Sequence, residues 1–291
     1  MSFISTLLLL VLMLTPLCYG FEAKKHGVFS NDAAALYEVC TGRHMPRELL
    51  SVFVEGAIDE DKPGLTRATN WHFYNNEKRI GRYWLFVLRC NGSNEHIFKK
   101  RLDALKNMLN SKKPNTEIYA AAGMVAHHLQ DMSSPSHVMP IYHAGNDEFD
   151  KYVPAPVPAS NVSQSCDEIS GTPPDPFTLL EEAANNTLRA VKDGKTVENE
   201  TWMKFWDGPD DEKRPGFKTY GEYGNVFGII PPCEGNMCQA YTRSMFDTFY
   251  TQRYMRAVID TARLFRYLDE QNKGSQQSVL ENSVSSQKQM K

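Results

Sequence analysis

The stretch "AGMVAHHLQDMSSPSHVMPIYHAGNDEFDKYV", residues 122 to 153, holds four of the chain's eight histidines, with carboxylates between and after them. Such a chain must commit those groups either to solvent or to a shared ligand. His127 and Asp131 are four apart in a strongly helical context, so both project from one face about one turn apart. That spacing lets an imidazole and a carboxylate share one metal ion, and it equally suits a surface ion pair. His128 lies about 100° round the helix, which leaves it packing or solvent contact as a role. The proline of "MSSP" ends the helix. Beyond it, His137 and His143 can return toward the same cavity, and "NDEFDKYV" supplies Asp147, Glu148 and Asp150.

The rest of the chain predicts a mainly α fold. "DAAALYEVC", "PRELLSVFVEGAI", "HIFKKRLDALKNMLN", "PFTLLEEAANNTLRAVKD" and "YTQRYMRAVIDTARLFRYLDEQ" place apolar residues at three- and four-residue intervals. Strand alternation is scarce, and "RYWLFVLRC" is ambiguous. No repeat or linker divides the 291 residues into two cores, so the expectation is a single helical-bundle domain with long loops. "YVPAPVPASNVSQSCDEISGTPPDP" reads as a surface excursion and 272–291 as a disordered polar tail. A net charge of −3 gives no bulk attraction to nucleic acid or anionic membrane.

Residues 1–20, "MSFISTLLLLVLMLTPLCYG", carry an apolar run that ends in Pro and "CYG". They read as a signal peptide cut after Gly20, with an uncleaved anchor as the alternative. Cleavage would leave Cys40, Cys90, Cys166, Cys233 and Cys238 in an oxidising compartment. Cys233 and Cys238, close in "PPCEGNMC", are the first pairing expected. Asn91, Asn161, Asn185 and Asn199 each begin a glycosylation sequon. These features together predict a secreted glycoprotein.

Two other places bear on a metal site. "TNWHFYNN" sets His72 among aromatic residues, downstream of Asp59, Glu60 and Asp61 in "GAIDEDKPG". At the new N-terminus, "FEAKKHG", the amine and carbonyl of Phe21 could converge with His26 on an ion. The alternatives are a packed core histidine and a flexible terminus.

The order of His26, an acidic loop, "HFY", "HHLQD", "SPSH" and "EFDKYV" resembles the zinc-dependent phospholipase C family and, more distantly, the fungal zinc-dependent single-strand nucleases of related fold. The matched motifs extend from Phe21 to Val153, and residues 21–271 would form the family's helical domain. The resemblance implies about three clustered zinc ions. It assigns Phe21 and His26 to one ion, with Asp131 as the bridging carboxylate. His72, His127 and Asp61 would bind beside it. Asp61 is also the general base, with Asp59 as the alternative. His137 would begin the remaining site, completed by His143 with Asp150, while Asp147 stays open because it keeps the family's four-residue spacing. Phenylalanine stands at position 21 where the family normally has tryptophan, which leaves both backbone ligands in place.

Clustered zinc would activate water for in-line attack on a phosphodiester, with no side-chain nucleophile. The expected enzyme is a monomeric phospholipase C that acts on phospholipid at a membrane surface and releases a phosphorylated head group and diacylglycerol. A single-strand nuclease is the second choice. Trp202, Phe205, Trp206, Tyr220 and Tyr223 could supply its stacking platforms or simply pack the core. A third reading is a zinc-binding secreted protein without turnover.

Overall fold

The computed structural model describes residues 23–62, 70–77, 82–85, 88–143, 147–154, 162–196, 199–214, 216–229 and 241–289. Phe21, Asn161, Cys233, Cys238 and residues 1–20, the expected signal peptide, lie outside the described residues. The fold is mainly α, as the periodicity predicts. In chain order the elements are α1 (Ala23–Thr41), α2 (Arg47–Asp59), β1 (Asn70–Phe73), β2 (Arg82–Leu85), β3 (Leu88–Ser93), α3 (Glu95–Asn110) and α4 (Asn115–Asp131). The short α5 (Pro135–Val138) and α6 (Glu148–Lys151) follow, then α7 (Val162–Ser170), α8 (Pro176–Asp193), α9 (Met203–Trp206) and the long α10 (Arg243–Gln289).

Helix α4 is central and packs against α2, α3, α8 and α10. Its sequence explains this position. Small residues in "AAAGMVA" let neighbouring backbones approach, and every residue from Val125 to Asp131 is buried. The approach of α2 is the closest consequence. A Cβ built on Gly56 would lie 2.2 Å from the Ala120 carbonyl oxygen, and one on Gly123 would lie 2.1 Å from the Phe53 carbonyl oxygen. Only glycine allows that crossing. It brings the C-terminal end of α2 beside the last turn of α4.

The ambiguous "RYWLFVLRC" segment contributes to a small sheet of order β1-β3-β2, with β1 parallel and β2 antiparallel to β3. Strand β1 carries His72 and is fastened to α5, because Tyr74 N donates to the His137 carbonyl at 3.0 Å. Trp202, Phe205, Trp206, Phe227, Phe246 and Phe249 are buried against one another, and Phe149 of α6 joins them. Three of the aromatics considered as stacking platforms are therefore core.

A disulfide joins Cys40 of α1 to Cys166 of α7, 126 residues away in sequence. The backbone of α10 continues as helix to Gln289, across the stretch from 272 that the sequence predicts to be disordered. That stretch contains no proline, and Gly274 is its one glycine, so nothing in it breaks a helix already nucleated by packing. Among the described residues no helix is long and apolar enough to cross a membrane.

The glycine crossing predicts that Gly123→Ala lowers the unfolding free energy by about 1–3 kcal/mol through overpacking. A Cβ at Gly171 would meet nothing closer than 3.7 Å, so Gly171→Ala is the control and leaves stability unchanged. Urea denaturation of both variants checks this.

Candidate metal centre

Six histidines, His26, His72, His127, His128, His137 and His143, are buried, together with Asp61, Asp131, Asp147 and Asp150. His44 and His96 are exposed and stand apart. The buried set gathers where the last turn of α4, the end of α2, α1, β1, α5 and α6 meet.

The tightest group surrounds His127. Its Nε2 lies 3.0 Å from His72 Nδ1, 3.2 Å from Asp131 Oδ2 and 3.6 Å from Asp61 Oδ1. His72 Nδ1 is 2.9 Å from the same Asp131 oxygen. A tetrahedral cation held by N and O donors at about 2.0–2.2 Å keeps those donors roughly 3.3–3.6 Å apart. The separations of His127 from Asp131 and Asp61 are near that size, while the two contacts of His72 Nδ1 are of hydrogen-bond length and would open slightly around a cation. The other face of the His127 ring is fixed, because Nδ1 donates to the Ala57 carbonyl at 2.8 Å and leaves Nε2 for the centre.

A second group forms at His26. Its Nε2 is 3.6 Å from Asp131 Oδ1 and 3.8 Å from Asp61 Oδ2. Its Nδ1 meets Gln130 Oε1 at 2.8 Å, and the Gln130 amide in turn donates to Ser30 Oγ and Thr261 Oγ1. Asp131 thus turns one oxygen to His72 and His127 and the other to His26, where Oδ1 has no hydrogen-bond partner among the described residues. These sets, His72 with His127, His128 and Asp131, and His26 with Asp61 and His127, could each hold a metal ion.

His137 and His143 make a third group. Their Nδ1 atoms face the carbonyls of His72 (2.7 Å) and Ile141 (2.9 Å), and their ring centroids are 5.1 Å apart. Asp150 Oδ2 is 3.9 Å from His143 Nε2, and both atoms lack a hydrogen-bond partner among the described residues. Ser134 Oγ holds the other Asp150 oxygen at 2.9 Å. The oxygens of Asp147 are already engaged, by Phe149 N at 2.7 Å as the cap of α6 and by the Tyr220 hydroxyl at 3.0 Å. Of the two open acids, Asp150 is therefore the one that faces His143. Asp59 likewise separates from Asp61, since it is partly exposed and paired with Lys62.

Charge follows this packing. Burial alone would raise the Asp131 carboxyl, but the charges of His127 and His137 and hydrogen bonds from His127 and His72 hold it well below the usual carboxylate range. Burial would lower His127, and the carboxylates of Asp131 and Asp61 outweigh it and push the imidazole up to about 9. Burial and the neighbouring His127 hold His26 down to about 4. Burial and Asp147 raise the Asp150 carboxyl. Opposite charge is what this pocket of carboxylates calls for.

Of the two roles left to His128 by its sequence reading, packing and solvent contact, the structure gives packing. The residue is wholly buried, and neither ring nitrogen has a hydrogen-bond partner among the described residues. Solvent contact falls away because α4 is covered all round at that end. Gln130, Ser134 and Arg101 also carry roles that no spacing announces, since their partners come from distant elements. Of the expected glycosylation positions, Asn199 is exposed in a left-handed conformation (φ 61°). Asn185 is half-buried on α8 and accepts from Asn76 Nδ2 at 3.1 Å, and Asn91 lies in β3.

A surface cleft of about 750 Å³, walled by Arg189, Lys192, Arg256 and Arg263, shares no residue with the histidines. Ion pairs of Arg256 with Glu168 and Arg263 with Glu182 already occupy its charges. The candidate metal donors lie in the buried cluster and not in this cleft. Compared with known protein families, with curated proteins and with solved structures, the chain matches none.

The charge state of His127 generates a prediction. With its value near 9 it carries a proton at neutral pH in the metal-free protein, whereas a ligand imidazole must be neutral. His26, near 4, is already neutral. Cation uptake near pH 7 therefore releases about one proton from His127. Calorimetric titration of metal-free protein with zinc in two buffers of different ionisation enthalpy reads that number, and His127→Ala abolishes it.

Proposed function

We propose that this chain is a secreted zinc-dependent phosphodiester hydrolase of the phospholipase C type. The observation that carries the reading is the division of Asp131, which sends Oδ2 to His72 and His127 and Oδ1 to His26. A carboxylate so placed can bridge two cations, and the order of motifs along the chain is the one the resemblance requires. His72, His127, Asp61 and Asp131 would hold one zinc ion. His26 and Asp131 would hold a second with the backbone of Phe21, and His137, His143 and Asp150 a third. Bound zinc supplies Lewis-acid charge that favours ionised water as a nucleophile near neutral pH and offsets charge on phosphoryl oxygens.

Asp61 is the base in this reading. One of its oxygens is 3.6 Å from His127 Nε2 and the other 3.8 Å from His26 Nε2, so the carboxylate reaches both groups and can take the proton of a water that attacks between them. His127 and His137 need no proton role. Their rings are pinned through Nδ1 to the Ala57 and His72 carbonyls, and they orient the site.

Phospholipid is favoured over single-stranded nucleic acid on two grounds. Trp202, Phe205 and Trp206 are buried and offer bases no stacking face. Beside the third group, Val153 is 73% and Ile229 48% exposed. Arg243 lies next to them, over the Tyr152 ring at 4.6 Å and donating to the Val153 carbonyl at 2.9 Å. Exposed apolar side chains with a cation at their edge suit a lipid surface.

The test is hydrolysis of phosphatidylcholine vesicles by zinc-loaded protein, with single-stranded DNA in parallel. The expected outcome is chelator-sensitive release of phosphorylated head group, with Asp61→Asn lowering the rate by about 100-fold or more. Cleavage of the DNA alone would move the assignment to the nuclease reading. Zinc binding with neither activity would make the chain a binding protein.

A further inference from the structure

Behind the metal-facing pair Asp61 and His127 stands a second pair made by their chain neighbours. Glu60 precedes Asp61 at the end of α2, and His128 follows His127 on α4. Asp61 Oδ1 and His127 Nε2 are 3.6 Å apart, and Glu60 Oε1 and His128 Nε2 are 3.5 Å apart. The two helices therefore meet through two acid–imidazole contacts side by side. The first belongs to the centre and the second borders it.

The outer contact is anchored from a third helix. Arg101 of α3 donates from Nε to Glu60 Oε1 at 3.0 Å, and its Nη2 lies at ion-pair distance, 2.9 Å, from Oε2. A guanidinium contact of this kind fixes the carboxylate's position as well as its charge. Glu60 and His128 are both buried, with His128 at 0% exposure. The His128 ring stands edge-on to His72, with centroids 4.6 Å apart, and to Phe98 of α3 at 6.0 Å. It thus touches a ligand of the tight group, and one of its nitrogens lies within 4.8 Å of donor atoms of His72, His127 and Asp131.

We propose that Arg101, Glu60 and His128 are positioning residues that set the placement of Asp61, His127 and His72 and thereby the zinc affinity of the central site. Three reasons lead there. Adjacent residues on a helix end cannot move independently, so clamping Glu60 clamps Asp61. A carboxylate already held by arginine is not available to a cation, which makes Glu60 a support and not a ligand. A buried imidazole without a hydrogen bond is costly, and its contact with His72 and its ion-pair distance from Glu60 are what the location provides in return. The inference rests on the metal-centre part of the proposed function and requires no particular substrate.

The test uses the full secreted chain, stripped of metal and titrated with zinc against a competing chelator, and with cobalt(II) for its visible spectrum. Glu60→Gln and His128→Gln are expected to weaken zinc by about 10–100-fold and to change the cobalt bands, with far-UV circular dichroism of the metal-free protein unchanged. Arg101→Lys, which keeps the charge and loses the guanidinium, should give a smaller shift in the same direction. Folded Glu60→Gln and His128→Gln proteins with wild-type affinity and spectrum would overturn the proposal. So would loss of one whole zinc equivalent at saturating metal in His128→Gln, which would make His128 a ligand. If Glu60→Gln does not fold, Arg101→Lys decides the matter, and unchanged affinity overturns the idea. The readout is affinity, so its failure leaves the hydrolase reading standing, whereas absence of zinc binding by the unmodified chain would remove the metal centre itself.

Discussion

A carboxylate with no solvent exposure, Asp131, is the group on which the arrangement depends. Burying an ion is costly unless charge and hydrogen bonds compensate it. The charges of His127 and His137 and hydrogen bonds from His127 and His72 supply that compensation here, and three imidazoles surround the carboxylate: His26 of α1, His72 of β1 and His127 of α4 itself. Each of those rings is in turn fixed on its far side, by Gln130, by the packing of β1 against α5, and by the Ala57 carbonyl. Donors delivered in place need little rearrangement to receive a cation, which is where preorganised affinity originates.

The delivery begins with backbone geometry. Gly56 and Gly123 let α2 and α4 cross at van der Waals contact, and that crossing places the Glu60–Asp61 end beside His127 and His128. Any side chain at the crossing would separate the helices, and the donor distances would widen with them. Stability of the α2–α4 contact and geometry of the centre are therefore one property seen at two scales.

Much of this was legible in the sequence, and the parts that were not share a cause. The four-residue spacing of His127 and Asp131, the proline stop after them and the return of His137 and His143 follow from local helix geometry, and the mainly α fold follows from periodicity. Spacing leaves His128 between packing and solvent, and packing wins because α4 has no exposed face at that end. Ser134, Gln130 and Arg101 act through partners 16, 104 and 41 residues away, which no local pattern encodes. The same holds for Cys40 and Cys166, while the nearby Cys233 and Cys238 drew attention through proximity alone. Asp150 and Asp147 could not be separated by spacing. What separates them is that a helix cap consumes one carboxylate and leaves the other.

The molecule also divides its labour. The centre draws its groups from α1, α2, β1, α4, α5 and α6, so a bound cation ties together elements far apart in sequence and adds its binding energy to their association. The aromatic core of Trp202, Phe205, Trp206, Phe246 and Phe249 and the Cys40–Cys166 bridge contain none of the candidate ligands. They hold their part of the fold by apolar burial and chain connectivity, forces that need no metal, and the aromatic core meets the centre's elements at Phe149 of α6. Removing the cation therefore acts first on the region where buried carboxylates lose their counter-charge. Asp61 and Asp150 belong to that region, and its dependence on the ion follows from the density of buried acids gathered there.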